Sequence, residues 1–159
     1  MIAAIKKAWP WLGLSIVVVL LDQWSKYWAV HHLVIGEPWV WLPFLNLMLN
    51  INAGAAFSFL GNAGGWQVYL FSAISWVVAG ILTVGLWGVR RSDYLMAIGM
   101  SLILGGALGN GIDRVRLFYV IDFFDFHVGA WHFATFNVAD SAICIGAVLL
   151  IIRFLWGQK

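Results

Sequence analysis

The sequence predicts an all-α integral membrane protein, with four transmembrane helices and a small β-sheet (a cradle) in the first extracytoplasmic loop. Three observations support this fold class. Of the 159 residues, 63% are hydrophobic and 10% are charged, which lies outside the range of soluble globular proteins. Four segments reach the length of about 20 mostly apolar residues that crossing a bilayer requires. Between the first two of them, alternating apolar and polar residues indicate a strand.

The four predicted spans form a single membrane-embedded domain, residues 1–159; they are residues 10–30, 68–89, 94–112 and 138–156. Two long loops, residues 31–67 and 113–137, lie on one side of the membrane. The start of the chain resembles a secretory signal, because two lysines precede an apolar run. However, polar residues continue the helix after Leu21 and no cleavage site of small residues follows. We therefore expect the first span to be retained.

The basic residues predict the orientation in the membrane. Six of the nine Lys and Arg residues flank the spans on one side: Lys6, Lys7, Arg90, Arg91, Arg153 and Lys159. By the positive-inside rule, both termini and the turn at 90–93 face the cytoplasm. Every acidic residue except Asp93 then lies at or beyond the outer ends of the spans. The polar chemistry is therefore expected at the extracytoplasmic face.

Charge and cysteine content exclude two classes of function. The net charge of +2 argues against a nucleic-acid partner. Cys144 is the only cysteine and lies inside the fourth span, so the chain has no internal disulfide and a redox role is not expected.

Alternation in the first outer loop predicts the strand. Apolar residues occupy every second position, at Leu45, Leu47, Leu49 and Ile51, and the intervening positions are Asn46, Met48, Asn50 and Asn52. A period of two with one mostly polar face is typical of a strand half-buried at the membrane surface. Pro38, Pro43 and the glycine-rich residues 61–65 bound it. We expect a small antiparallel sheet here; an irregular interfacial loop is the alternative.

Small residues form a stripe along the third span. Ala97, Ser101, Gly105 and Gly109 recur every four residues, which allows close helix–helix approach in lipid. Asp113 continues the stripe by one turn and should point into the bundle.

Aspartates mark the outer ends of three spans, at Asp22, Asp113 and Asp140. An ionisable residue at the centre of a membrane helix costs roughly 2.5–3.5 kcal/mol, so each is a candidate functional residue. Asp22 and Lys26 are one turn apart, and we expect them to form a structural ion pair. Asp113 is expected to pair with neighbours at a polar helix end.

The second outer loop contributes two more aspartates. Apolar neighbours surround Asp122, which should raise the pKa of its carboxyl, whereas Asp125 is interpreted as a surface residue. Asn137 is a good N-cap for the fourth span, and Asp140 is placed to complete a capping box, which would explain both without a function. Asp140 nevertheless lies within about one helical turn of the outer boundary. Spacing alone leaves Asp113 as a rival to Asp122.

Two carboxylates at one depth suit an aspartic protease, in which one carboxyl is protonated and the other ionised. Two other functions remain open. A proton-coupled transporter would use Asp22, Asp113 and Asp140, and a metal-dependent lipid phosphotransferase would bind a cation at Asp122 and Asp125. The histidines lack the spacing of a helical zinc pair and are interpreted as interfacial: His31, His32, His127 and His132.

Five motifs, taken together, resemble the lipoprotein signal peptidases, the bacterial signal peptidase II family of aspartic endopeptidases. They are Asp22-Gln23 with Lys26, Asn52 with Gly54-Ala55-Ala56, Gly105 to Gly109-Asn110 with Asp113-Arg114, Val120 to Phe123, and Phe136-Asn137 with Ala139-Asp140. The match extends over essentially the whole chain, and its strength lies in the order of the five motifs.

The resemblance implies a four-helix enzyme of the bacterial inner membrane, with an outer β-cradle and a helix-bearing extracytoplasmic loop. It implies Asp122 and Asp140 as the catalytic pair. The residues that it implies for substrate binding are Asn52, Gly54, Asn110, Arg114, Asn137 and Ala139. The structural polar residues are Asp22, Lys26 and Asp113.

The resemblance also implies a reaction. Members of the family remove the signal peptide from prolipoproteins just before a diacylglyceryl-modified cysteine, without a metal or an organic cofactor. The expected partners are therefore the lipid-modified prolipoprotein and membrane lipids, and we expect the enzyme to be a monomer.

Overall fold

The computed structural model describes residues 2–54, 60–61, 63–90 and 92–156, with only the backbone for residues 2–8. Four helices and four strands make up this part of the chain: α1 (Ile2–His32), β1 (Trp39–Leu42), β2 (Leu45–Asn52), α2 (Trp66–Gly88), α3 (Tyr94–Leu117), β3 (Val120–Val128), β4 (Trp131–His132) and α4 (Val138–Trp156). Ala55 and Ala56 of the second motif, and the basic residues Arg91 and Lys159, lie outside the described residues.

Three of the described helices, α2, α3 and α4, are long and apolar enough to cross a membrane. Helix α4 has the same bounds as the predicted fourth span, and α2 begins and ends within two residues of the predicted second span. The outer boundary of the third span is wrong: α3 continues to Leu117, so Asp113 and Arg114 lie within the helix and the loop begins later. The helix ends where Phe118 adopts a left-handed conformation (φ 66°) and its N–H donates to the carbonyl of Arg114.

Helix α3 is the centre of the bundle and contacts each of the other three helices. Its predicted stripe of small residues is buried and faces α1. A Cβ added to Gly105 would lie 2.8 Å from the carbonyl oxygen of Ser15, and one added to Gly109 would lie 2.6 Å from Oδ2 of Asp22. On another face, a Cβ on Gly99 would lie 2.9 Å from the carbonyl oxygen of Gly146 in α4. Only glycine permits these approaches.

The four strands form one antiparallel sheet in the order β1-β2-β3-β4. The predicted strand is confirmed as β2, but the sheet is not confined to the first outer loop, because β3 and β4 come from the second. The all-α description therefore needs correction to a mostly helical fold with a four-stranded sheet. Strand β3 was not predicted, since its apolar residues do not alternate cleanly and the period-of-two rule has nothing to detect.

Register places the polar face of β2 beside the aspartates of β3. Asn50 lies opposite Asp122, Asn46 opposite Asp125, and the register shifts between Leu47 and Asn50. The two-residue turn after β3 begins at Gly129, whose φ is +61°, as a type II′ hairpin turn requires.

The sheet is held against the end of α1 by an apolar cluster: Ala29, Leu33, Leu47, Leu49, Ile121 and Phe123. This packing places β2 and β3 at the His32 end of α1, over the end of α3 that carries Asp113. Among the described residues between α1 and α2 and between α3 and α4, none is helical. The helix implied for an outer loop is thus absent from those residues, and residues 55–59 and 62 are outside the description.

Candidate active site

A cavity of about 470 Å³ opens where the ends of α3 and α4 meet strands β2 and β3. Four elements contribute amide, guanidinium and carboxyl groups to its lining: Asn52, Asn110, Arg114, Asp122 and Asp140. Apolar residues of α4 continue the lining from Ile143 to Ile145. The structure thus brings the two predicted catalytic aspartates, which are distant in sequence, to one cavity.

Asp140 is fixed by the first turn of α4. Asn137 Oδ1 accepts a hydrogen bond from the Asp140 N–H at 2.9 Å, and Asp140 Oδ2 accepts one from the Asn137 N–H at 3.2 Å. This reciprocal arrangement is the predicted capping box. The position at the start of a helix also stabilises negative charge on Asp140. Asp140 can therefore cap α4 and also line the cavity, because only one of its two carboxylate oxygens accepts the capping hydrogen bond.

Two side-chain amides connect the carboxyl groups. Asn137 Nδ2 donates to Asp122 Oδ1 at 2.7 Å and to Asn110 Oδ1 at 3.1 Å. Asn110 Nδ2 in turn donates to Asp140 Oδ1 at 2.7 Å. The chain Asp122–Asn137–Asn110–Asp140 therefore links both carboxyls through donors from α3 and from the start of α4.

Asp122 lies on β3 with 1% of its surface exposed. Its Oδ2 accepts a hydrogen bond from Asn52 Nδ2 at 3.0 Å. Burial, followed by the nearby charge of Asp140, raises the pKa of Asp122 to about 7. This confirms the predicted direction. Near neutral pH, a large fraction of Asp122 therefore carries a proton.

Behind the amides lies a buried ionic cluster that connects α1 to α3. Lys26 Nζ is 2.8 Å from both Asp22 Oδ2 and Asp113 Oδ2, and it donates to Asn110 Oδ1 at 2.9 Å. All three charged side chains are at most 3% exposed. The predicted Asp22–Lys26 pair is confirmed, and Asp113 belongs to this cluster rather than to the cavity lining. Asp122, and not Asp113, therefore lines the same cavity as Asp140.

Two further residues donate hydrogen bonds to the aspartates of this cluster: Ala139, which the sequence analysis assigned to the substrate site, and Gln23, which it overlooked. Ala139, expected at the substrate site, is fully buried, and its N–H donates to Asp22 Oδ1 at 2.9 Å. Gln23 received no role, although its Nε2 donates to Asp113 Oδ1 at 2.8 Å. The signal for Gln23 was its place beside Asp22 at the outer end of α1.

Arg114 joins the cavity to the chain that follows β2. Its Nη2 donates to the carbonyl of Gly54 at 3.0 Å, and its guanidinium lies 5.5 Å from the ring centroid of Phe71. Gly54 is thus held through its backbone, and its N–H donates to Asn52 Oδ1 at 2.9 Å. These bonds order the backbone at one wall of the cavity.

Asp125 is not the surface residue that was predicted, since only 1% of it is exposed. It accepts hydrogen bonds from Asn46 Nδ2 at 2.9 Å and pairs with His132 Nδ1 at 2.8 Å. His132 therefore has a specific partner, although the hairpin register places it opposite His127 rather than Asp125. Asp125 lies three residues after Asp122 on β3, but it lines a neighbouring cavity that Asp122 does not line.

This separation bears on the metal alternative. A cation shared by Asp122 and Asp125 would need both carboxylates to line one cavity, whereas they line two. Among the described residues, no group of three or more His, Cys, Asp or Glu side chains is placed to bind a metal ion.

Fold and cavity together define a membrane-embedded enzyme. Two carboxyl groups line its cavity, and the side-chain amides of Asn137 and Asn110 connect them by hydrogen bonds. The family described as signal peptidase (SPase) II matches residues 14–156, and the chain belongs to this family. It is therefore a peptidase of the aspartic type.

The sequences of named relatives match nearly the whole chain. The lipoprotein signal peptidase of Coxiella burnetii (strain Dugway 5J108-111) is 61% identical over 94% of this chain and 92% of its own length. That of Hydrogenovibrio crunogenus is 48% identical over 97% of this chain and 87% of its own length. A bacterial membrane enzyme solved by the in meso method at 2.3 Å superposes with a TM-score of 0.83 and 32% identity, over 94% of this chain and 92% of the other.

Proposed function

We propose that the protein removes the signal peptide from diacylglyceryl-modified prolipoproteins, with Asp122 and Asp140 as its catalytic pair. The observation that carries the proposal is the placement of both carboxyls in one cavity, linked through Asn137 and Asn110. Membership of the signal peptidase II family and the names of the relatives supply the substrate class.

The two carboxyls take different parts in the reaction. Asp140 is ionised and removes a proton from a water molecule, which attacks the carbonyl carbon of the scissile amide. Asp122 is protonated and donates a hydrogen bond to the carbonyl oxygen, which stabilises the developing negative charge. A proton then passes to the leaving nitrogen as the C–N bond breaks. The raised pKa of Asp122 supports this division of roles.

Neighbouring polar groups hold this pair in position. Asn52, Asn110 and Asn137 each donate to one of the two carboxyls. Arg114 lines the same cavity and offers remaining donors to polar groups of the substrate. The cluster of Asp22, Lys26 and Asp113 is structural: it fixes Asn110 from behind.

We further propose that α1 is a fourth span and that the whole chain forms one membrane-embedded domain of the bacterial inner membrane. Its buried ion pair with α3 and its packing along the glycine stripe support this. Both termini would face the cytoplasm and the active site the extracytoplasmic side. We expect a monomer surrounded by membrane lipids. The acyl chains of the substrate would then hold the scissile bond at the depth of the cavity.

The two other functions have less support. In a transporter, Asp22 and Asp113 would need to be accessible from a path for protons or substrate, yet both are buried and form ion pairs with Lys26. A phosphotransferase would need a shared cation site, but Asp122 and Asp125 line different cavities and Asp125 is already paired with Asn46 and His132.

Incubation of the purified protein with a diacylated precursor and with the unmodified precursor, each with and without EDTA, tests the proposal. We expect cleavage of the diacylated precursor alone, at the same rate with chelator. Loss of cleavage on chelation would favour metal-dependent chemistry, and absence of cleavage in every sample would refute the peptidase assignment.

A further inference from the structure

A second cavity, of about 440 Å³, lies directly beside the catalytic cavity. Four residues line both: Asn52, Phe133, Ala134 and Thr135. The two spaces therefore share a wall rather than lying at separate places on the molecule.

The shared wall is tied to the proposed catalytic pair. Asn52 donates to Asp122 Oδ2 at 3.0 Å and also lines the second cavity. Asn50 Nδ2 donates to Thr135 Oγ1 at 2.7 Å, which joins β2 to the segment that leads from β4 to α4. A polypeptide that passes the carboxyl of Asp122 reaches the second cavity immediately.

The two cavities differ in the elements that line them. The catalytic cavity continues along α4, past Ile143 to Ile145, within a helix long and apolar enough to span a membrane. None of the described residues that line the second cavity belongs to a helix; all come from the strands and loops between the spans. Helices α3 and α4 therefore line part of the catalytic cavity, whereas strands and loops alone line the second.

The lining of the second cavity suits a peptide backbone. Asn50, Thr135 and His132 offer side-chain donors and acceptors, and Asp125 contributes a buried carboxyl held by His132. Met48 and Phe133 add apolar surface. Such mixed lining is typical of sites that bind an extended chain by a few polar contacts.

We propose that this second cavity binds the substrate residues that follow the lipid-modified cysteine, the beginning of the mature lipoprotein. The inference rests on the proposed function, and it assigns a direction: the signal peptide lies along α4, and the mature chain leaves between β2 and the segment 133–135. Residues of the mature chain thus contribute to recognition, together with the acyl groups.

Two synthetic substrates test this in the wild-type enzyme. Both carry the same signal peptide and diacylglyceryl cysteine; the short one ends at the residue after the cysteine and the long one continues for several residues. We expect kcat/KM for the long substrate to exceed that for the short one about tenfold, or about 1.4 kcal/mol. Equal values would overturn the inference. If neither substrate is cleaved, the proposed function itself fails.

Met48→Trp fills the second cavity without touching the catalytic one, since Met48 lines only the former. We expect this variant to lose the advantage of the long substrate, through KM, while it cleaves the short substrate at the wild-type rate. Val40→Trp is the matched control, because Val40 lies on β1, is 70% exposed and lines neither cavity. An equal loss on both substrates in Met48→Trp would contradict the inference, and the wild-type comparison decides independently of how this variant folds.

Discussion

Asp122 shows how one residue acquires its properties from its surroundings. Burial on β3 and the nearby charge of Asp140 disfavour its ionised form, and the donors Asn52 and Asn137 compensate only in part. Because the pKa in the folded protein is about 7 and the ordinary value is 3.8, the folded state binds the proton more tightly. The contribution of this group to stability is therefore present at low pH and is lost as the pH rises through about 7.

This pKa predicts the alkaline side of the activity profile. In the proposed mechanism, ionisation of Asp122 removes the proton that polarises the carbonyl, so kcat/KM of the free enzyme should fall as the pH rises through about 7. Above that value we expect a decline of about tenfold per pH unit. Steady-state cleavage of a diacylated peptide across the range measures it. A profile that stays flat from about pH 6 to about pH 9 would contradict the protonated role of Asp122.

Lys26 neutralises two carboxylates that are almost completely enclosed. Lys26→Met should therefore destabilise the protein by about 3–5 kcal/mol, because it leaves buried charges without a partner. Thermal unfolding in detergent measures the effect. The matched control is the triple variant Asp22→Asn, Lys26→Met, Asp113→Asn, in which no charge remains and most of the stability should return. A single variant as stable as the wild type would show that the cluster contributes little.

At the residue scale, the sequence predicted those contacts that form between residues close together in the chain. The Asp22–Lys26 pair and the capping box of Asn137 and Asp140 follow from helical spacing alone. The burial of Asp125 could not be predicted this way, because its partners Asn46 and His132 approach it only through strand pairing. The choice between Asp113 and Asp122 likewise depended on contacts between elements.

At the scale of elements, helix α3 positions the site because glycine lets α1 approach it closely. Gly109→Ala would place a Cβ 2.6 Å from Oδ2 of Asp22, and should cost about 1–3 kcal/mol through overpacking. Gly80→Ala is the matched control, because no neighbouring atom lies within 4 Å of its added Cβ. Unfolding temperatures of the two variants make the comparison. Equal values would contradict the close packing of α1 on α3.

The helices were easier to predict than the sheet. Long apolar segments define α2, α3 and α4 directly, and only the outer end of α3 was misplaced, since the polar residues from Asp113 onward continue the helix. Strand β3 is buried on both faces over much of its length, which removes the alternation that made β2 visible. Its pairing with β2 across two loops is a long-range feature that local patterns do not encode.

At the scale of the whole molecule, the proposed orientation makes the sheet and the cavity extracytoplasmic. A reporter enzyme that is active only outside the cytoplasm should be inactive when fused after Lys159 and active when inserted in the turn between β1 and β2. The physical reason is the excess of basic residues beside the inner ends of the spans. Activity of the carboxy-terminal fusion alone would reverse the proposed orientation, and activity of both fusions would contradict three crossings between the β1–β2 turn and the carboxy terminus.

The molecule as a whole holds two carboxyls in one cavity. Lys26 of the ionic cluster donates a hydrogen bond to Asn110, and capping hydrogen bonds in the first turn of α4 fix Asp140. Strand β3 places Asp122 in the same cavity. These elements come from distant parts of the chain, so the function depends on the assembled fold rather than on any single motif.

The most direct test of the catalytic pair is cleavage of a diacylated precursor by Asp122→Asn and Asp140→Asn, with Glu37→Gln as an exposed acidic control that lines neither cavity. Each asparagine variant should fold, as judged by its unfolding temperature, and should lose cleavage by at least about a thousandfold, because proton transfer and electrostatic stabilisation both depend on the pair. Glu37→Gln should cleave at the wild-type rate. Substantial turnover by either folded asparagine variant would contradict the assignment of that carboxyl.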